Sequence, residues 1–347
     1  MQGEPFGDSH RFGAQVRQLQ SDTFFKPRST RLEYLFQSEE SPWRNFLDGF
    51  FISKSFFAFP AINASEPWQG QVPALDLFQC NDLPEDRENL EYDLGRFLAM
   101  TTLLGITDLH FENCLFIIQD ARFSFVALDL EIAFWNCVSG MDTLLFPSLQ
   151  INRRSSGFSG QFGEKFIWNE PSRAMDGFLS GAREIQKQLH DLLLDLERQL
   201  VGHPNRVLLR FTKDYVHPRP RQDEMGQFLP SELLQINAGD IPYFFTFREI
   251  NPRLLYFSAP GEISEQKIDN LAVAKRFNNA VFTCAGLSEK TRIDQLIRTT
   301  ALHFAYAYPE FQKSKLEGEH FTLKVTDEKP GQLELTTSEF RVAARLP

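Results

Sequence analysis

Asp108, Asn113 and Asp129 are the residues of this chain whose types and spacing best suit chemistry. Residues 107–113 read TDLHFEN, so Asn113 follows Asp108 at the fifth position, with His110 between them. Two apolar runs come next, residues 114–118 and 123–128, with the polar stretch Gln119-Asp120-Ala121-Arg122 between them, and then Leu128-Asp129-Leu130-Glu131. Two β-patterned runs around a polar turn predict a hairpin. Such a hairpin holds Asn113 and Asp129 on adjacent strand ends, facing one site. This layout suits phosphotransfer: one carboxylate, Asp108, beside an attacking hydroxyl, and an amide and a second carboxylate on the metal that neutralises the phosphates. Glu131 joins Asn113 and Asp129 as a candidate metal ligand. The D-x-x-x-x-N pattern alone is also what a helix cap or turn carries, so the other segments must decide.

Phosphotransfer from ATP needs cations to hold the phosphates. Residues 14–20 alternate with period two, Ser21-Asp22 makes a turn, and residues 23–26 form a second β-like run that ends in Lys26. A lysine at a strand end is more often a solvated edge residue. Here Lys26-Pro27-Arg28-Ser29 sets two cations around a rigid proline that forbids further pairing in a central strand. Lys26 and Arg28 are candidate nucleotide ligands, and Glu33, on a helix expected to start at Arg31, is the expected acidic partner of Lys26. Gly7-Asp8-Ser9-His10 with Gly13 forms a turn whose backbone N–H groups could cover phosphates, without the spacing of a Walker A loop. Arg206, Arg210 and Thr212 fall on alternate positions of residues 206–215, read as a strand, so all three share one face. Two guanidiniums and a hydroxyl there suit a phosphate, although a basic solvated face has the same pattern.

These residues need scaffolding. Residues 90–104 predict a helix leading straight into the Asp108 loop. Residues 175–200 predict one long helix with Ile185, Leu189, Leu192, Leu193 and Leu196 on one face. Residues 268–285 and 290–307 predict two more, and residues 320–325 and 333–337 a hairpin. Residues 43–80 read as short strands and loops, and the Ser/Gly-rich residues 153–163 as mobile. The expected class is α+β, with a small β-rich lobe over residues 1–89 and a larger, mainly helical lobe over residues 90–347.

The bulk numbers narrow the options. Apolar residues make up 42% of the 347, ample for a core, and the 35 Phe are expected in it. A net charge of −10 argues against broad nucleic-acid or anionic-membrane binding, which need basic surface. Cys80, Cys114, Cys137 and Cys284 are too dispersed for a zinc site or a disulfide framework, so free thiols in a reducing cytoplasm are expected. No signal-peptide pattern opens the chain, and no apolar run is long enough to span a membrane.

Six blocks together resemble a known family: GDSH (residues 7–10), FFKPRS (24–29), ITDLHFEN (106–113), LDLEIAF (128–134), RVLLRFTKDY (206–215) and GDIPYF (239–244). Their order is that of the dehydratase domain of class II lanthipeptide synthetases, the LanM enzymes. The resemblance implies a two-lobed, kinase-like fold distantly related to lipid kinases. It implies phosphorylation of Ser and Thr in a peptide with ATP and Mg²⁺, then phosphate elimination to dehydroalanine or dehydrobutyrine. It places Lys26, Asp108, His110, Asn113 and Asp129 at positions that serve phosphorylation, and Asp8, His10, Arg206 and Thr212 at positions tied to the later steps. His10 or Lys26 then serves as acid or base in elimination, and Arg206 and Arg210 as cations for the leaving phosphate. The match begins at Gly7, and the family's cyclase cysteines have no counterpart. The expectation is therefore a stand-alone, trimmed form that forms no thioether ring and relies on a separate leader-binding or cyclase partner. Two alternatives stay open: a kinase only, acting on a protein, lipid or small molecule, and a catalytically inactive kinase-like binding module.

Overall fold

A computed structural model of the chain describes residues 4–20, 23–52, 58, 59, 62–74, 87–119, 122–145, 156–158, 171–216, 227–307, 316–318, 321–325, 332–337 and 341–345. The alternating N-terminal residues form β1 (Glu4–His10), β2 (Ala14–Gln20) and β3 (Thr23–Lys26). Helices α1 (Arg31–Gln37) and α2 (Arg44–Phe50) follow, then β4 (Asn63–Glu66) and β5 (Gln69–Pro73). The five strands make one antiparallel sheet in the order β1-β2-β3-β5-β4. Pro27, with no N–H to give, ends β3 inside this sheet. Gly70, the register partner of Lys26, is required by packing. A Cβ there would sit 2.1 Å from Thr30 Oγ1, and Thr30 Oγ1 donates to Asn63 O at 2.8 Å. The bare backbone at Gly70 thus lets the start of α1 lie against the sheet beside Lys26.

Helix α3 (Arg87–Leu104) is the spine of the rest. It ends at Gly105 with φ +68°, and Ile106 N–H reaches back to Thr101 O at 2.8 Å, a Schellman closure. A Cβ on Gly105 would lie 2.5 Å from Trp135 N. The sharp exit delivers residues 106–113 onto the hairpin β6 (Cys114–Gln119) and β7 (Arg122–Ala127), with Cys114 opposite Ala127. Helix α4 (Pro171–Gln186) packs along α3, followed by α5 (Leu189–Gln199). The single helix expected over residues 175–200 is therefore two, divided at a turn where Gln188 N–H bonds Ile185 O at 3.0 Å.

The remaining described elements are β8 (Asn205–Val207), α6 (Thr212–Val216), α7 (Pro230–Asn237), β9 (Phe244–Thr246), β10 (Leu255–Ala259), β11 (Glu262–Glu265), α8 (Leu271–Ala280), α9 (Cys284–Leu287), α10 (Lys290–Ala307), β12 (Leu316–Gly318), β13 (Phe321–Val325), β14 (Gln332–Thr337) and β15 (Arg341–Arg345). They add two four-stranded antiparallel sheets, β11-β10-β9-β8 and β12-β13-β14-β15. The class is mixed α+β with antiparallel sheets. Residues 43–80 contain a helix, α2, as well as strands, and most of residues 153–163 lie outside the described residues.

Aromatic rings fill the core, among them the fully buried Phe50, Phe116, Phe125, Phe134, Phe158, Phe178, Phe244 and Phe245. A smaller apolar cluster, Phe59, Ile62, Val72, Ile117 and Val126 with Phe24 against it, joins the five-stranded sheet to the β6–β7 hairpin. That contact brings Lys26 and Asp129 together. Cys114, Cys137 and Cys284 are buried and free, and Cys80 lies outside the described residues. Among the described residues no helix is long and apolar enough to cross a membrane.

Candidate active site

Lys26 ends β3 facing α1. Its Nζ is 3.2 Å from Glu33 Oε1 and 3.7 Å from Asp129 Oδ1, and it also donates to Leu128 O. Sheet, helix and hairpin thus meet at one ammonium. Arg28 lies alongside and is fully committed. One terminal nitrogen bonds both Glu33 Oε1 and Asp129 Oδ1, Nε lies 3.4 Å from Glu131 Oε1, and Nη1 donates to Ser29 O at 2.7 Å. A guanidinium spread over three carboxylates is a hub, a role that the reading of Arg28 as a nucleotide ligand did not include.

Glu131 is engaged in the same way. Its Oε1 takes Arg206 Nη1 at 3.1 Å as well as Arg28, and its Oε2 accepts from the Tyr243 hydroxyl at 3.0 Å. Both oxygens face inward and leave little to offer a metal. Arg206 is further held by its backbone N–H on Glu131 O at 3.0 Å, and its guanidinium lies 5.4 Å from the Tyr243 ring centre.

Asp108 has φ +70°, a left-handed conformation that Asp tolerates better than most residues. Asn113 Nδ2 donates to its carbonyl at 2.7 Å, and Leu128 N–H donates to Asn113 O at 2.7 Å. His110 Nε2 is 3.8 Å from Asp108 Oδ1. Burial pushes the Asp108 carboxyl up to about 6, with Arg206 and His110 opposing and Asp129 and Glu131 adding to the rise. Asp129 goes the other way. Burial would raise it, but Arg28, Lys26 and Arg206 outweigh burial and hold it well below the carboxylate range. The two carboxylates are thereby split into one whose pKa is raised toward neutrality and one that stays ionised.

The oxygens of Asn113 and Asp129 fit Mg²⁺. The Asn113 amide nitrogen is spent on Asp108, which turns Oδ1 away from that bond. Asp129 is partly exposed, and its ion pairs are to Oδ1. Mg²⁺ is typically held by one or two such groups, with substrate phosphates and water completing the shell. Among the described residues no three His, Cys, Asp or Glu side chains form a closed metal cage.

On the other flank His10 lies 5.7 Å from Tyr243, ring centre to ring centre. Its Nδ1 is 2.8 Å from Ile241 O, so Nδ1 carries the proton and the lone pair of the neutral ring is on Nε2. Asp240 takes Ser9 Oγ and the backbone N–H groups of Phe12 and Gly13, and Ile241 N–H bonds Ser9 O at 2.8 Å. The N–H groups of Phe12 and Gly13 are thereby held by a carboxylate of the chain.

The strand reading of residues 206–215 is corrected. The strand at residue 206 ends at Val207, so Arg206, Arg210 and Thr212 share no face. Arg210 is buried on Glu232, Nε to Oε1 at 2.9 Å, beside the Tyr215 hydroxyl on the same oxygen. Thr212 is exposed at the start of α6. The side chain of Asp8 lies outside what the structure describes. Sequence reasoning assigned no role to Tyr243 or Asp240, although both lie in the GDIPYF block. The one available signal was an acid and a tyrosine, residue types that act through polar contacts, inside a motif otherwise apolar. No family model matches the chain, and no curated protein has a significantly similar sequence.

Proposed function

We propose that the chain is an ATP-dependent phosphotransferase of kinase-like, two-lobed architecture, residues 1–89 forming the nucleotide-side lobe and residues 90–347 the catalytic one. Its acceptor is a Ser or Thr hydroxyl of a peptide or protein, and elimination of the phosphate follows as a second step. The observation that carries this reading is the convergence of the Lys26–Glu33 pair with Asp108, Asn113 and Asp129, from a sheet, a helix and a hairpin, on one partly open site.

Each residue has a task. Lys26, oriented by Glu33, holds phosphate oxygens of ATP. Asp108 accepts the proton of the acceptor hydroxyl as that oxygen bonds the γ-phosphorus and the bond to ADP breaks. A carboxyl near 6 is ionised at neutral pH yet basic enough to take that proton. Asn113 and Asp129 present oxygens to Mg²⁺, which when bound neutralises phosphate charge. In the second step a base, His10 or Lys26, removes the α-proton. The C–H electron pair forms the Cα=Cβ bond, and the phosphate leaves with the Cβ–O pair toward Arg206.

The kinase-only reading is favoured by one observation: Arg210 is committed to Glu232, and Thr212 lies apart from the strand that carries Arg206. Intact-mass analysis of Ser/Thr peptides incubated with the protein, ATP and Mg²⁺ separates the outcomes. Gain of phosphate followed by net loss of water supports both steps, phosphate alone supports a kinase, and no change with any peptide or protein acceptor removes the proposal.

A further inference from the structure

Tyr243 lies against both His10 and Arg206. The Arg206 guanidinium is 5.4 Å from its ring centre, and the His10 ring 5.7 Å, centre to centre. Two residues earlier in the chain, Ile241 O meets His10 Nδ1 at 2.8 Å. The segment that carries Tyr243 thus holds His10 by a hydrogen bond and by a ring. Tyr243 is itself firmly placed. Its N–H donates to Gln235 Oε1 at 2.8 Å, and the buried Gln235 donates to Ser231 O within α7. Its ring is buried with Phe245, Leu255 and Phe257.

A buried tyrosine with a satisfied hydroxyl is also an ordinary core residue. What sets this one apart is the carboxylate it holds. Glu131 Oε1 takes Arg206 Nη1 at 3.1 Å and lies 3.4 Å from Arg28 Nε, while Oε2 accepts from the Tyr243 hydroxyl at 3.0 Å. Among the described residues Arg206 meets a carboxylate through Nη1 alone, and Asp108 and Asp129 attract it without ion-pair contact. Its remaining N–H groups are those a phosphate can take. Burial and Glu131 push the Tyr243 pKa well above the ordinary value, against Arg206 and Arg28, so the hydroxyl stays a donor. Without that donor, Oε2 would be a buried carboxylate oxygen left unsatisfied, which is costly. The guanidinium already on Oε1 offers a remedy: a fork-on-fork pair satisfies Oε2 and consumes a second donor of Arg206.

The geometry points to Tyr243 as a positioning residue for phosphate elimination: by occupying Glu131 Oε2 its hydroxyl keeps donors of Arg206 available to the leaving phosphate, and its ring backs His10. This inference rests on the two-step reading above. It separates Tyr243 from the groups of phosphotransfer, since the hydroxyl acts on Arg206 through Glu131 and has no hydrogen bond to Lys26, Asp108 or Asn113.

The test follows a single turnover of a Ser/Thr peptide with the full chain, ATP and Mg²⁺ by intact mass. Phosphopeptide rises with phosphotransfer and decays with elimination, so one experiment reads both rates. Tyr243→Phe is the variant, because it removes the hydroxyl and keeps the ring in its apolar cluster. It should leave the rise within about twofold and slow the decay about tenfold or more. In an Arg206→Ala background the same change should add about twofold at most, since a residue acting through Arg206 has nothing left to act on. Both phases slowed alike mark a merely structural tyrosine and overturn the proposal, as does slowing that multiplies with that of Arg206→Ala. If the parent and Tyr243→Phe decay at the same rate, this inference alone falls. If the parent forms phosphopeptide that never decays, or forms none, the two-step reading falls and takes the inference with it.

Discussion

The side-chain amide of Asn113 donates to the main-chain carbonyl of Asp108 at 2.7 Å. One bond thus does two things: it braces the left-handed backbone of Asp108 and fixes which end of the Asn113 amide is left for a ligand. The Asn113→Ala variant should lower apparent Mg²⁺ affinity in turnover by about 100-fold, the upper end of what losing even an outer-shell metal contact costs. A Mg²⁺ titration of the variant that superimposes on that of the parent would remove Asn113 from the metal site.

Asp108 makes a prediction about stability as well as activity. Its carboxyl holds a proton more tightly in the folded protein, about 6 against an ordinary 3.8. Ionisation therefore costs stability. The cost is absent below the unfolded pKa, grows as pH rises through the folded one, and reaches roughly 3 kcal/mol at most above it. Asp108→Asn, isosteric and equally tolerant of φ +70°, should abolish turnover. It should also raise stability at pH 8, with the gain fading between pH 6 and about 4. Urea unfolding of both proteins at several pH values reads this directly. A variant less stable than the parent at pH 8 would show that the Asp108 carboxylate contributes to the fold.

Much of this was legible in the sequence, for local reasons. Period-two alternation gave β2, two apolar runs around a polar turn gave the β6–β7 hairpin, and Glu33, the acid on the helix that follows β3, gave the ion pair of Lys26. What failed was assignment by extrapolation. Residues 206–215 alternate like a strand, yet pairing stops at Val207 and Arg210 turns to Glu232. Nothing local marks that end, because the competing partner lies on α7. The break between α4 and α5 has no Pro or Gly, so periodicity runs through it. Helix α7 had a readable start, Pro230 with Glu232 two residues on. The roles of Tyr243 and Asp240 rest on partners 112 and 231 residues away, and no window of sequence holds both ends.

Arg28 separates a hub from a ligand. Removing it leaves Glu33 and Glu131 buried with fewer cations, and breaking such a pair costs about 3–5 kcal/mol. Arg28→Met should lose that much in chemical denaturation, and Arg28→Lys most of it, since one ammonium cannot span three carboxylates. Lys26→Met should instead lose phosphotransfer. If Arg28→Met unfolds like the parent but no longer binds ATP, Arg28 is a nucleotide ligand after all.

Asp240 tests whether the two proposed steps have separate supports. Its carboxylate accepts from Ser9, Phe12 and Gly13, and the neighbouring Ile241 bonds Ser9 through its N–H and His10 through its carbonyl. His10 is therefore placed from the α7–β9 connection, while Asp108, Asn113 and Asp129 are placed from α3 and the hairpin. Losing one hydrogen bond to a charged group costs about 1.5–3 kcal/mol, enough to loosen the turn without unfolding the sheet. Asp240→Ala should raise amide exchange at Phe12 and Gly13 selectively, leave phosphotransfer within a few-fold, and accumulate phosphopeptide by slowing elimination about tenfold or more. Arg206→Ala should accumulate the same intermediate, and Asp108→Ala should form none. If Asp240→Ala exchanges faster at the turn yet completes both steps at the parent rate, His10 has no part in elimination, and the base must be sought on the Lys26 side.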